Sequence, residues 1–131
     1  MNPAETDFLL GLFTPTSMSY RSEVVQQGIE DKEPSLPQMI GKAIDILSKN
    51  ENGFFLFVEN DKIDSAHHST FTRIALDEAA QLSKAVEMAR ERLSDEDTLI
   101  IVSSDHSHTL SYAGYPVSMP IIYFHFSMFL V

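Results

Sequence analysis

Gly53-Phe54-Phe55-Leu56-Phe57-Val58 and Thr98-Leu99-Ile100-Ile101-Val102 are the two runs that decide the fold. Each is continuously apolar and bounded by turn residues (Asn50 to Gly53 before the first, Ser94 to Asp97 before the second). That is the pattern of a strand buried on both faces. Between them, Phe71, Ile74, Ala75, Ala79, Leu82, Val86, Ala89 and Leu93 repeat at helical spacing over residues 70–93, with Glu87, Arg90, Glu91 and Arg92 on the wet side. Strand, helix, strand is a βαβ unit, whose strands run parallel through a right-handed crossover. The expected class is therefore α/β, a mainly parallel sheet flanked by helices, with ligands bound beyond the carboxyl ends of its strands.

Working outward, Ser35 with Gln38 three residues on starts a second helix. Its apolar face is Leu36, Met39, Ile40, Ala43, Ile44 and Leu47. Residues 14–34 carry Pro15, Gly28 and Pro34 and read as a surface loop. Residues 8–13, Phe-Leu-Leu-Gly-Leu-Phe, read as a strand or buried turn. The chain divides into residues 1–116 and an apolar tail, 117–131. From Met119 to Val131 that tail is shorter than the roughly 20 residues that span a bilayer.

The 131 residues are 44% apolar, enough for one domain with a core. No cysteine is present, so neither a disulfide framework nor a thiolate metal site is available. A formal charge of −10 argues against nucleic acid as a partner. It does not argue against an anionic substrate, because bound divalent cations reverse the sign locally. The amino terminus, Met1 to Asp7, lacks the basic and apolar regions of a secretory signal.

The chemistry follows the two apolar runs. Glu59, Asp64, His67 and His68 come after the first; Asp105, His106 and His108 come after the second. A carboxylate with neutral imidazoles suits zinc, magnesium and related ions. Asp64 and His68, four apart, share a face if the segment is helical, whereas adjacent Asp105 and His106 need a tight turn to serve one site. His67 and His108 are expected to orient the ligands by hydrogen bonding. Lys62 reads as solvated, and His125 as a packed histidine of the tail.

These strings, together with Leu9-Leu10-Gly11-Leu12-Phe13, Met18, Tyr20, Pro34-Ser35-Leu36 and Gly114-Tyr115-Pro116, resemble the metazoan alkaline phosphatases over roughly residues 6–116. The resemblance implies phosphomonoester hydrolysis with two zinc ions and one magnesium ion. Glu59 would correspond to a magnesium ligand, Asp64 and His68 to ligands of the first zinc, and Asp105 and His106 to ligands of the second. His108 would support them. It also implies a homodimer of the full-length protein, extracellular or at the cell surface and lipid-anchored.

The chain departs from the family pattern in several places. The family's serine nucleophile, in an Asp-Ser-Ala string, is assigned no counterpart, because Ser103 and Ser104 before Asp105 do not match it. No catalytic residue is therefore assigned. The remaining ligands belong outside the matched strings, so this chain is expected to supply part of the metal centre and to be inactive alone. Ser65 stands where vertebrate relatives have histidine. For the calcium site of some relatives Phe13 and Glu33 fit, but Thr14 occupies a carboxylate position. The alternative expectation is a non-catalytic homologue acting as a binding or dimerisation module.

Overall fold

A computed structural model describes residues 1–110; the tail, with Gly114-Tyr115-Pro116 and His125, lies outside the described residues. After a short 3-10 turn at Pro3–Glu5 come four helices: α1 (Arg21–Gln27), α2 (Leu36–Leu47), α3 (Lys62–His68) and α4 (Thr72–Arg92). The longest, α4, packs against each of the other three.

Local chemistry sets the helix ends. Ser35 caps α2 with a reciprocal box, its backbone N–H donating to Gln38 Oε1 at 2.8 Å while Gln38 N–H donates to Ser35 Oγ at 3.4 Å. α1 ends in a left-handed residue, Gly28 (φ 66°), with Ile29 N–H reaching back to Val24 O and Gly28 N–H to Val25 O. This is the Schellman arrangement, for which glycine has no Cβ penalty. α3 closes in the same way on a β-branched residue: Thr70 has φ 60°, Phe71 N–H donates to Ala66 O and Thr70 N–H to His67 O.

The core is small. Ile40 and Ile44 of α2 meet Ala85 of α4, and Leu36, Leu56, Val58, Met88, Ala89 and Leu93 pack around them. Arg92 ties the end of α4 to α2, its Nη1 donating to Gly41 O at 3.1 Å and Asp45 Oδ1 at 2.7 Å. A Cβ at Gly41 would meet the Arg92 guanidinium at 3.4 Å, an ordinary contact with the end of a flexible side chain.

The parallel sheet is not formed. Among the described residues there is no strand, and residues 54–59 and 99–108 make no backbone–backbone hydrogen bond. A ladder requires a neighbour for every second peptide group, and here each run is covered on one face only. Leu56 and Val58 pack inward, while Phe55 (86% exposed) and Phe57 (76%) point out. Likewise Ile100 and Val102 are half-buried, while Leu99 and Ile101 are exposed. The runs that read as buried on both faces are one-sided, and the regular structure of the described residues is helical. Two smaller expectations also change: residues 14–34 contain α1, and Phe8, Leu10 and Leu12 are exposed.

Glu78 occupies the buried face of α4, where the periodicity had placed only apolar side chains. Its carboxylate, in a residue 4% exposed, accepts from Arg21 N–H at 2.6 Å, and its backbone O accepts from Asn60 Nδ2 at 3.0 Å. Burial pushes its pKa up, more than the Arg21 bond holds it down. A carboxyl whose folded pKa is raised adds stability below its unfolded pKa and loses it as pH rises through the folded value. Glu78→Gln keeps an oxygen for Arg21 and removes the charge. Its melting temperature should exceed that of the parent at pH 8, with the gap closing below about pH 4; calorimetry across pH checks this.

Candidate metal centre

α3 is the element that builds the site. One turn of helix separates Asp64 from His68 and brings His68 Nε2 to 3.4 Å from Asp64 Oδ2, the i, i+4 pairing expected from their spacing. The second string then crosses over this helix. His106 Nε2 stands 3.5 Å from Asp64 Oδ1 and 3.5 Å from Asp105 Oδ2, and His108 Nε2 contacts Asp64 Oδ1 at 2.5 Å. The bends around residue 105 are held by Ser104, whose hydroxyl donates to His106 O.

His108 is the hub. Its ring lies 4.6 Å from that of His67, 5.0 Å from His68 and 5.1 Å from His106, and its side chain is the least exposed of the cluster for which ion-pair geometry is defined, at 17% against 72% for His68 and 54% for His106. Donor atoms of Asp64, His106 and His108 all lie within 4.8 Å of one another.

The electrostatics sort the histidines. The hydrogen bond to His108, with the neighbouring imidazoles, holds the Asp64 carboxyl below its ordinary value. Burial, then repulsion from His108, pushes His67 down, so it stays neutral more readily than a free imidazole. His106 is pushed up, first by its bond to the Ser107 carbonyl and then by Asp105. His67 Nδ1 is buried and has no hydrogen-bond partner among the described residues. A cavity of about 160 Å³ beside it is lined by His67, Thr70, Thr72, His108, Thr109 and Leu110.

The strings therefore meet, but not every expected residue joins. Asp64, His68, Asp105, His106, His67 and His108 form one neighbourhood. Glu59 is exposed and stands outside the donor set. Lys62 is half-buried, its Nζ 5.1 Å over the Tyr20 ring, rather than fully solvated. Of the calcium residues, Glu33 is buried and both its oxygens accept hydrogen bonds, from Ser19 N–H at 2.7 Å and Ser19 Oγ at 2.9 Å.

Sequence reading also passed over two features. His108 read as a supporter, because spacing says nothing about ring direction. And Asp64-Ser65-Ala66 spells the Asp-Ser-Ala string, although its neighbours match a metal string. In the structure Ser65 is a half-buried residue within α3, its N–H bonded to Asp61 O.

A carboxylate with two or three neutral imidazoles fits zinc and similar borderline ions, and the low pKa of Asp64 keeps its charge available. Among the described residues no helix is long and apolar enough to cross a membrane.

Comparison with known proteins bears on the same residues. The family model described as "Alkaline phosphatase" matches residues 1–129. The membrane-bound alkaline phosphatase of Bombyx mori is 43% identical over 109 residues, covering 83% of this chain and 19% of the relative. The tissue-nonspecific isozyme of alkaline phosphatase from Homo sapiens is 44% identical over 115 residues (88% and 21%), and that from Gallus gallus 43% over 122 (92% and 23%). The chain spans about a fifth of the length of these relatives. No solved structure matches it.

Proposed function

The chain belongs to the alkaline phosphatase family, and from that premise we propose that it supplies part of a metal centre for phosphomonoester hydrolysis. One observation carries the reading: two strings some 40 residues apart in sequence converge on Asp64, with imidazoles at 2.5 to 3.5 Å from its oxygens. In this reading Asp64 and His68 serve one zinc, Asp105 and His106 a second, and Glu59 a magnesium ion. Bound there, such ions would polarise the phosphoryl oxygens and lower the pKa of the attacking group.

The chain's own residues would do the rest. Asp64 brings negative charge that makes the imidazole cluster attractive to cations, and burial, which lowers the pKa of His67, makes that ring less ready to take a competing proton. The cavity beside His67 and His108 is lined by threonines and would take a small polar part of the ester. The substrate class is a phosphate monoester, the partner a second copy of the full-length protein, and the location the cell surface.

Grafting residues 1–110 into the corresponding part of the human tissue-nonspecific isozyme tests this. The graft should hydrolyse an aryl phosphate with zinc and magnesium present, and Asp105→Ala in it should cost more than the roughly 10–100-fold that loss of a supporting residue costs. A folded graft without turnover, or with turnover indifferent to Asp105, overturns the proposal.

A further inference from the structure

α3 carries Asp64 and His68, yet it is a poor anchor for them on its own. It has seven residues, and its N-cap, Asp61, makes no side-chain capping bond. Helices shorter than about 12–15 residues are marginal in water without support. The aim of the two side chains therefore depends on what holds each end of α3. The carboxyl end closes on Thr70. The amino end is tied down by a residue outside the cluster, Asn60.

Asn60 Nδ2 donates to the backbone O of Glu78, within α4, at 3.0 Å across 18 residues of sequence. Its own backbone O accepts from Ile63 N–H in the first turn of α3, at 3.4 Å. The side-chain bond thus joins the start of α3 to the long helix. Two further contacts converge on the same place. Glu78, 4% exposed, also receives Arg21 N–H from the start of α1. Lys62, the first residue of α3, sets its Nζ 5.1 Å over the ring of Tyr20, the N-cap of α1.

The tie matters because the site draws on a second segment. At a rise of 1.5 Å per residue Asp64 stands about 9 Å from Thr70, so a swing of about 10° at that joint moves it by roughly 1.5 Å. His106, 3.5 Å from Asp64 Oδ1, comes from the other string and does not swing with it. Functional groups must be held to within about 0.5 Å of their working geometry. Asn60 also lies between Glu59 and Asp64, so one tie bears on the approach to both.

We propose that Asn60 is a positioning residue for the metal centre: its side-chain amide, docked on the Glu78 carbonyl, fixes the amino end of α3 and so the aim of Asp64 and His68. The inference rests on the reading of the cluster as a metal centre, and it adds a residue that stands outside the cluster and supplies no ligand.

Zinc titration of the full chain by calorimetry, with helix content followed by far-ultraviolet circular dichroism, tests it. Asn60→Ala removes the donor and should weaken zinc binding by at least about tenfold, the low end of what loss of a supporting residue costs, while the helices persist. Asn60→Asp keeps the shape, loses the donor and adds a negative charge that by itself favours a cation. It should weaken binding too, so that the loss reads the aim of α3 and not charge. Ile40→Val removes one methyl from the core, a destabilisation of the same order as one lost hydrogen bond, and should leave zinc affinity within about twofold.

Retained affinity in a folded Asn60→Ala or Asn60→Asp chain would make the bond merely structural and overturn the inference. An equal loss in Ile40→Val would assign the effect to overall stability and overturn it as well. Either result leaves the metal-centre reading standing. A parent chain that takes up no zinc would overturn both, because there would be no site to position.

Discussion

Replacing Asp64 by alanine should lower the zinc affinity of the chain by more than about 100-fold, the largest effect expected of any single substitution in the site. Supporting residues in metal sites cost roughly 10–100-fold when lost, and Asp64 is where three imidazoles converge, at 3.4, 3.5 and 2.5 Å. It is also the carboxylate at the cluster's centre, and its hydrogen bond to His108 holds its carboxyl below the ordinary value. Without it, the one carboxylate left beside the rings is Asp105, which contacts only His106, at 3.5 Å. Isothermal titration with zinc measures the loss. A variant that keeps its zinc affinity would show that the ion sits on Asp105 instead.

The same substitution has an acid-limb signature. A carboxyl whose folded pKa is lowered contributes stability above its unfolded value, near 3.9, and loses it as pH falls through the folded one. Metal-free Asp64→Ala should therefore lose less stability than the parent between about pH 5 and pH 2.

Ile44→Ala should be the most damaging change away from the site. Ile44 is 4% exposed and sits at the centre of the Ile40–Ile44–Ala85 cluster. Truncating a buried isoleucine costs about 2–5 kcal/mol, from lost transfer energy and the cavity left behind. Against the roughly 5–15 kcal/mol that holds a typical domain together, this is a large fraction. It is larger here because the buried apolar side chains among the described residues are few and three of them are alanines. Urea unfolding followed at 222 nm should show a midpoint shifted strongly downward. A shift worth less than about 1 kcal/mol would mean that the α2–α4 interface is not the core.

Much of the helical part is legible in the sequence because short-range chemistry decides it. Ser35 and Gln38 announce the start of α2, and the periodicity over residues 70–93 anticipates α4, found at Thr72–Arg92. α1 escapes because seven residues are too few for a period, although Gly28 carried the signal of a helix end rather than of a loop. The two apolar runs mislead for another reason. A residue's hydropathy does not say whether it has a neighbour, so Phe55 and Leu56 look alike while one is 86% exposed and the other packs on the core.

The site divides in the same way. That the strings around Asp64 and His106 meet follows from their positions after matched runs, and they meet through helices and bends instead of a sheet edge. The family resemblance supplied what the ligands are for, and the family is borne out. Which nitrogen faces which oxygen was not readable, because ring direction is set by packing between segments far apart in sequence. Glu59, like His68 and Asp105, lies outside the donor set of Asp64, His106 and His108.

α1 and α3 end in the same hydrogen-bonded arrangement, one on Gly28 and the other on Thr70. A β-branched residue held at positive φ costs on the order of 1 kcal/mol relative to glycine. Thr70 is therefore a stiff elbow between the helix that carries Asp64 and His68 and the long helix that braces it. Glycine there would make the joint cheaper and looser at once. The aim of two candidate ligands is thus set by a backbone cost in a residue that touches no ion, and the accuracy of the site and the stability of the fold pull against each other at one peptide.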